Sequence, residues 1–247
     1  MIRLLWLTLL VGSFLCCNEV FAAGDVSIRW FGHSCFLITS SQGTKLLTDP
    51  VGEETGYKLP DVMPDIITIS HEHFDHNYIR PYMDNDPVVF RGEDSHGRDW
   101  QKTEAKVKDI DIYSVGTYHD NSQGKKDGKN SVFVFLVDGL RIVHLGDLGH
   151  LLTEEQIKAI GTPDVLFIPT GGNYTIEFIQ AVEVIKQLQP KIVMPMHFKT
   201  PACNFTLFSV KRFLKEMKNV RVLLETSIVV NKDTLPGETE VVSLRYE

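Results

Sequence analysis

The segment HEHFDH at residues 71–76 constrains this chain more than any other part of its sequence. Its three histidines and its aspartate are candidate ligands for a transition metal, and residues 65–69 (DIITI), which end one residue before it, are mostly apolar and β-branched. Such a stretch predicts a buried strand, so the polar groups lie in the loop that leaves its end. The first two histidines would share one face, while a turn can bring the aspartate and the last histidine toward a second point. Imidazole and carboxylate together favour a zinc, iron or manganese site over a polar surface loop.

Further motifs lie in order along residues 25–200. They are residues 32–36 (GHSCF), 46–50 (LLTDP), 118–119 (YH), 145–150 (LGDLGH), 171–175 (GGNYT) and 194–198 (MPMHF). Together with H-x-H-x-D-H, they resemble the metallo-β-lactamase superfamily of dinuclear metal hydrolases. Within it, they resemble a bacterial branch related to the ascorbate-6-phosphate lactonases and to N-acyl phosphatidylethanolamine phospholipase D. The resemblance implies an αββα sandwich, in which two mixed β-sheets pack together with helices on the outer faces.

The order of predicted elements fits the same architecture. Strands are predicted at residues 26–31, 35–39, 45–48, 65–70, 131–137, 140–145, 165–168, 192–196, 227–231 and 240–245, and helices at 153–161, 175–190 and 207–217. Asp138-Gly139 predicts a hairpin turn, and Thr153 and Thr175 are the predicted helix caps. Residues 77–112 show no sustained periodicity and are interpreted as a loop with short strands near the site mouth. Alternating strands and helices, with metal-binding residues at strand ends, predict two packed sheets with outer helices.

The resemblance also implies how the metal ligands divide. The first metal would take His71, His73 and His119, the second Asp75, His76 and His197, and Asp147 would bridge both. Two divalent ions about 3.5–4 Å apart repel each other, and a bridging carboxylate with a bridging hydroxide offsets much of that repulsion. Zinc is the default for this ligand set, with Mn²⁺ and Fe²⁺ open.

This set predicts an exported dinuclear hydrolase that uses a metal-bridging hydroxide on an ester, lactone, amide or phosphodiester. Asp75 and Asp147 are the predicted catalytic residues, with Asp75 accepting a proton from the nucleophile. A true β-lactamase is disfavoured, because those enzymes lack the bridging aspartate. A flavin-coupled di-iron role is disfavoured because His73 stands where those relatives carry a glutamate. The alternative is an exported metal-binding protein without turnover.

Three further residues are weaker candidates for the site. His33 and His150 are expected to orient ligands through hydrogen bonds, with a purely structural role as the alternative. Asn173 and the backbone N–H groups around it are predicted to open a helix and bind an anionic or carbonyl part of the substrate. A plain helix cap explains the same residues equally well.

The N-terminus predicts export. Arg3 gives a positive start, residues 4–17 are largely apolar, and Val20-Phe21-Ala22 supplies a cleavage signal. Residues 1–22 are therefore predicted to be a signal peptide, since the apolar run is shorter than the roughly 20 residues of a spanning helix. Residues 23–247 would form a single hydrolase domain without a stable membrane anchor, periplasmic or secreted if the source is bacterial.

Composition limits the partners. The formal net charge is −7, which disfavours a polyanion, so a small-molecule substrate is expected and nucleic acid is not. Cys35 and Cys203 remain after cleavage, and either a disulfide or two buried small apolar side chains fits them. The sequence does not indicate an oligomeric state.

Overall fold

A computed structural model describes residues 22–94 and 96–246 of the chain, so the predicted signal peptide lies outside the described residues except for Ala22. The strands are β1 (Asp25–Trp30), β2 (Phe36–Thr39), β3 (Lys45–Thr48), β4 (Ile66–Ile69), β5 (Val88–Arg91), β6 (Glu104–Val107), β7 (Ile110–Tyr118), β8 (Lys129–Val137), β9 (Leu140–His144), β10 (Val165–Pro169), β11 (Ile192–Met196), β12 (Val220–Val222), β13 (Ser227–Asn231) and β14 (Glu240–Ser243). The α-helices are α1 (Glu154–Ile160), α2 (Phe178–Leu188) and α3 (Lys211–Glu216).

The strands form two mixed sheets. One has six strands in the order β13-β1-β2-β3-β4-β5, and the other has eight in the order β12-β14-β11-β10-β9-β8-β7-β6. In the first sheet β3, β4 and β5 run parallel, and in the second β9, β10, β11, β14 and β12 do. The remaining pairs are antiparallel. The predicted fold class, two mixed sheets packed together, is confirmed.

Apolar side chains fill the space between the sheets. Along β1, alternate residues are buried, as expected for a strand that shows one face to the core. The Phe36 ring of the first sheet stacks on the Phe167 ring of the second, with centroids 4.0 Å apart. Helix α2 covers the outer face of the eight-stranded sheet with Ala181, Val184 and Leu188, which share one side of the helix.

The outer face of the six-stranded sheet is covered differently. There the layer contains short 3-10 helices, Glu53–Thr55 and Arg80–Asn85, and loop side chains such as Tyr57 and Tyr82. Prolines recur along residues 50–87, and each removes a backbone donor that a longer α-helix would need. Within the described residues no helix has both the length and the apolar character needed to cross a bilayer.

The structure differs from the predicted secondary structure in three places. Helix α2 begins at Phe178, not after Thr175, because Glu177 and Gln180 form a capping box there. Residues 77–112, predicted to be a loop with short strands, hold the short strands β5 and β6 and also the start of the nine-residue strand β7. Strand β5 pairs in parallel with the distant β4, and its partly exposed side chains leave little local pattern. Strand β12 was not predicted, because its three residues are all exposed.

The two cysteines are not joined. Cys35 and Cys203 are both free and buried, and both belong to the apolar cluster over the outer face of the six-stranded sheet. Burial raises the pKa of the Cys35 thiol, so it stays protonated and packs as a small apolar side chain. Of the two interpretations left open by the sequence, the structure favours the one without a disulfide.

Candidate metal centre

Most of the predicted ligands come from loops at the carboxyl ends of strands, where side chains of different strands converge. Parallel strands place their carboxyl ends along one edge of a sheet, so residues far apart in sequence meet there. These loops follow β4 (His71, His73, Asp75, His76), β7 (His119), β9 (Asp147) and β11 (His197).

The structure brings together the three histidines expected for the first metal. One ring nitrogen from each of His71, His73 and His119 lies within 4.8 Å of the others. His71 and His119 are buried, whereas His73 is exposed and opens the group to solvent. This group can therefore bind a metal on its inner side and remain accessible to a substrate.

A second group holds the residues expected for the second metal and one more. Donor atoms of Asp75, His76, His197 and His33 all lie within 4.8 Å of one another. Nε2 of His33 lies 3.0 Å from Oδ2 of Asp75, which places this weak candidate in direct contact with a predicted ligand. The His33 backbone oxygen also accepts a hydrogen bond from the His197 backbone N–H, so the two loops hold each other.

Asp147 lies between the two groups. Its Oδ2 is 3.2 Å from Nε2 of His119 and 4.0 Å from Nε2 of His71, both in the first group. The same oxygen is 3.3 Å from Nε2 of His76 and 3.1 Å from Nε2 of His197, both in the second. A single carboxylate therefore reaches both donor groups, which is the position that a bridging ligand needs.

One residue that the sequence did not assign to the site, Asp49, orients two of the ligands. Its Oδ2 accepts hydrogen bonds from Nδ1 of His76 at 2.8 Å and from the Ser70 hydroxyl at 2.6 Å. Because the single hydroxyl hydrogen of Ser70 points at Asp49, its oxygen accepts from Nδ1 of His71 at 2.9 Å. Both rings are thus fixed with Nε2 free for a metal. The sequence feature that could have identified Asp49 is its place in the LLTDP motif, directly after strand β3.

Asn130 was also missed, and it holds the turn that carries Asp147. Its Oδ1 accepts from the Asp147 backbone N–H at 2.9 Å, while its Nδ2 donates to the Leu145 carbonyl and the Thr117 hydroxyl. Gly146 between them has φ +55°, and a Cβ there would lie 2.2 Å from the Asn130 Oδ1. Glycine is therefore required at this point of the turn.

The two carboxylates are ionised in this arrangement. Burial opposes the charge on Asp147, but His197 and His76 outweigh it and hold the pKa of that carboxyl well below its usual range. Burial likewise opposes the charge on Asp75, and the neighbouring His76 and the hydrogen bond from His33 lower its pKa below the ordinary value. Both groups are therefore available as metal ligands at neutral pH.

The histidines of the site differ in the direction in which their surroundings shift the imidazole pKa. Burial, and the positive charge that a neighbouring histidine would carry, lower the pKa of His71 well below its usual range and that of His33 to about 4. Burial also opposes the charge on His76 and His119, but Asp147 outweighs it and raises the pKa of both. In the absence of metal, Asp147 therefore makes both His76 and His119 hold a proton more tightly than an ordinary imidazole does.

The donor set fits divalent metal ions. Among the described residues, the buried Nε2 atoms of His71, His76 and His119 and the Oδ1 of Asp147 have no hydrogen-bond partner. Buried polar atoms without partners are costly, and several converging in one place indicate that a ligand satisfies them. Imidazole nitrogens with carboxylate oxygens suit zinc, with manganese and iron as alternatives.

Two of the weaker candidates lie beside the site rather than in it. Nδ1 of His150 donates to the Leu151 carbonyl, so its Nε2 accepts from the Tyr118 backbone N–H at 3.0 Å and fixes the residue before His119. Asn173 is exposed, and its Nδ2 donates to the Thr206 carbonyl at 2.6 Å. Helix α2 starts later than predicted, so no helix N-terminus opens at Asn173, and a contact between Asn173 and the substrate stays a prediction.

Comparison with known proteins shows which family the chain resembles in sequence. A family model described as "Beta-lactamase superfamily domain" matches residues 27–197. A protein from Thermoplasma volcanium named as a UPF0173 metal-dependent hydrolase is 30% identical over 233 residues, which cover 87% of this chain and 99% of the relative. A similarly named protein from Methanosarcina mazei is 27% identical over 244 residues, covering 87% of this chain and 98% of the relative.

Solved structures show the same fold. A crystal structure from Thermotoga maritima, described as a candidate Zn-dependent hydrolase of the metallo-β-lactamase superfamily, superposes with a TM-score of 0.68 at 34% identity. It covers 89% of this chain and 98% of that one. Igni18, a metallo hydrolase of Ignicoccus hospitalis, gives a TM-score of 0.60 at 21% identity and covers 84% of this chain and 99% of its own, a likeness of fold alone.

Proposed function

We propose that this chain, which belongs to the metallo-β-lactamase superfamily, is a metal-dependent hydrolase that works with two divalent metal ions. The chain matches the family model over more than half of its length, and its relatives are named metal-dependent hydrolases. The observation that carries the dinuclear proposal is Oδ2 of Asp147, which lies within 4.0 Å of histidine nitrogens from both donor groups.

The proposed division of the ligands is the one that the sequence predicts. His71, His73 and His119 would hold one ion, Asp75, His76 and His197 the other, and Asp147 both. Zinc is the first metal to test, followed by Mn²⁺ and Fe²⁺. When bound, such ions lower the pKa of water and polarise the oxygen of the group under attack.

The protein's own residues would orient these reactants. Asp75 is ionised and mostly buried, and the hydrogen bond from His33 fixes one of its oxygens, so it can take a proton from the attacking water. Asp49 keeps the His76 ring turned so that Nε2 faces inward. No serine or cysteine nucleophile is needed, and the buried Cys35 thiol, with its raised pKa, is unsuited to that role.

The substrate is proposed to be a small molecule with an ester, lactone, amide or phosphodiester bond. The test is turnover of a panel with one model compound for each bond type, using protein stripped of metal and then reloaded with Zn²⁺ or Mn²⁺. Turnover that depends on metal and disappears in Asp147→Ala is expected. Full activity in that variant would rule out the dinuclear proposal.

We also propose that the protein is exported after removal of residues 1–22. Support comes from the basic start, the apolar run and the small residues before Ala23. N-terminal sequencing of protein recovered from the periplasm or medium of a bacterial host should begin at Ala23. Retention of Met1 on cytoplasmic protein would overturn this proposal without affecting the hydrolase.

A further inference from the structure

An exposed phenyl ring lies within the metal-binding loop. Phe74 stands between the predicted ligands His73 and Asp75, and 56% of its surface is exposed. The turn that carries it is closed by a hydrogen bond of 3.0 Å from the His76 backbone N–H to the His73 carbonyl. An exposed phenyl ring at this point gains free energy if a ligand covers it, and its place between two predicted metal ligands puts it where a substrate would lie.

A second ring continues this apolar surface inward. Phe205 lies 6.0 Å from the Phe74 ring, centroid to centroid, and it stacks on the His33 ring at 5.3 Å and 26°. His33 in turn contacts Asp75 at 3.0 Å. The two phenyl rings, called the aromatic wall from here, therefore extend from solvent to the donor atoms of the second metal group.

The loop behind the aromatic wall is held in place. Lys199 Nζ donates to the Phe205 carbonyl at 2.9 Å, and Asn173 Nδ2 donates to the neighbouring Thr206 carbonyl at 2.6 Å. The Phe208 backbone N–H donates to the Gly171 carbonyl at 2.8 Å. A surface fixed in this way can bind a flexible group without first being ordered itself.

Two basic side chains near the site are already engaged with other groups of the protein. Lys199 is used on backbone carbonyls, and Arg91 is paired with Glu72 at 2.5 Å. A phosphate group bound at the wall itself would need side-chain cations or several donors there in addition to the metal ions, and neither of these side chains is directed outward for that purpose. A sugar would bring hydroxyl groups that need hydrogen-bond partners, and the nearby Lys199 and Asn173 side chains already donate to backbone carbonyls. An aliphatic chain satisfies the wall best.

We propose that the aromatic wall binds the acyl chain of a carboxylic ester, so that the substrate class is an ester of a medium-length aliphatic acid. This inference rests on the proposed hydrolase function and specifies its substrate. The reaction adds the oxygen of water to the acyl carbon, breaks the acyl C–O bond and transfers one water proton to the leaving alkoxide. The products are a carboxylic acid and an alcohol.

The kinetic test compares p-nitrophenyl acetate, butyrate and octanoate with the zinc-reconstituted protein. We expect kcat/KM to rise about two- to fourfold for each methylene that the wall buries. In Phe74→Ala and Phe205→Ala the rise should become much flatter, while metal content stays at the wild-type level. Met63→Ala is the matched control, because Met63 is also highly exposed but precedes β4, at the end opposite the ligands.

A binding test separates failure of the wall from failure of the hydrolase. Octanohydroxamate and acetohydroxamate carry the same metal-binding group on different chains, and calorimetry on the zinc-loaded protein needs no turnover. At least tenfold tighter binding of the octanoyl compound, lost in Phe205→Ala, would support the wall. Equal affinities would overturn it, whatever the esterase result. Turnover of a p-nitrophenyl phosphodiester but of no carboxylic ester would overturn the ester assignment and leave the hydrolase intact.

Discussion

Among single residues, Asp147 matters most, because the proposal of two metal ions rests on its position between the two donor groups. A buried carboxylate surrounded by four imidazoles is costly unless its charge is balanced, either by protons on the histidines or by metal ions. In the metal-free protein Asp147 raises the pKa of His76 and His119, which favours balance of its charge by protons. Bound metal ions would replace those protons and balance the charge of Asp147 at the centre of the site.

Metal binding should therefore release protons. Asp147 raises the pKa of His76 and His119, so protons compete with a metal ion for Nε2 of these rings and must leave when the metal binds. Metal affinity should rise with pH through the neutral range. Calorimetry of Zn²⁺ binding in buffers of different ionisation enthalpy will count the protons released. No dependence on the buffer would contradict this prediction.

Replacing Asp49 with Asn should weaken metal binding even though no proposed ligand changes. Asp49 accepts from Ser70 and His76, and an amide NH₂ in place of one acceptor oxygen would face their donor hydrogens. Loss of such a partner costs about 10- to 100-fold in metal affinity, measured by competition with a chelator.

The matched control for Asp49 is Asp138→Asn. Asp138 accepts two hydrogen bonds from Ser41 beside the β8–β9 turn, away from the ligands at the carboxyl end of β9. This variant should lose some stability and keep the affinity for Zn²⁺. An equal loss of affinity in both variants would mean that Asp49 acts on the fold as a whole.

At the scale of elements, short turns decide where the ligands point. Asp147 is placed by a turn in which Gly146 has φ +55° and packs against Asn130. The hairpin at the other end of β9 also contains a glycine with positive φ, Gly139 at +78°, but a Cβ there would meet nothing within 4 Å. The two glycines share a backbone requirement and differ in their surroundings.

Gly146→Ala should thus abolish metal binding, whereas Gly139→Ala should not. Both variants place a side chain in left-handed backbone, at a cost of about 1–2 kcal/mol. Only the first also drives a methyl group into Asn130 and displaces the Asp147 turn. Chemical denaturation and metal content of both variants will separate the effects. Retention of both metals in Gly146→Ala would show that the turn does not determine the site.

Some strands, turns and site residues could be predicted from the sequence and others could not. Strand β4 and its loop were predictable, because the apolar run and the ligand spacing are local signals. So were the β8–β9 hairpin and the cap at Thr153. The roles of Asp49 and Asn130 were not, because their hydrogen-bond partners lie 13 to 27 residues away and meet them only in the folded chain. Strand β5 was missed for the same reason.

At the scale of the whole molecule, the site joins the two sheets. Loops after β3 and β4 of the first sheet meet loops after β9 and β11 of the second, with Asp147 at the meeting point. Metal ions bound there would link the sheets directly. Stability should therefore depend on metal, in addition to the apolar core between the sheets.

Removal of metal should lower the melting temperature. A ligand that binds only the folded state stabilises it by RT ln(1 + [L]/Kd), which is about 4 kcal/mol at a free concentration 1,000 times Kd. Thermal unfolding after treatment with a chelator should show the drop, and returning Zn²⁺ should reverse it. A melting temperature that ignores both treatments would indicate that the fold does not use the metals.

The most direct test of a dinuclear metal centre is the metal content of the protein that begins at residue 23. Elemental analysis would compare the wild type with Asp147→Ala. The proposed bridging role of Asp147 predicts about two metal ions per wild-type chain, and clearly fewer in the variant. One ion or none, unchanged by the substitution and not raised by added zinc or manganese, would contradict a dinuclear centre. The fold and the family would stand in that case, and the proposed mechanism would not.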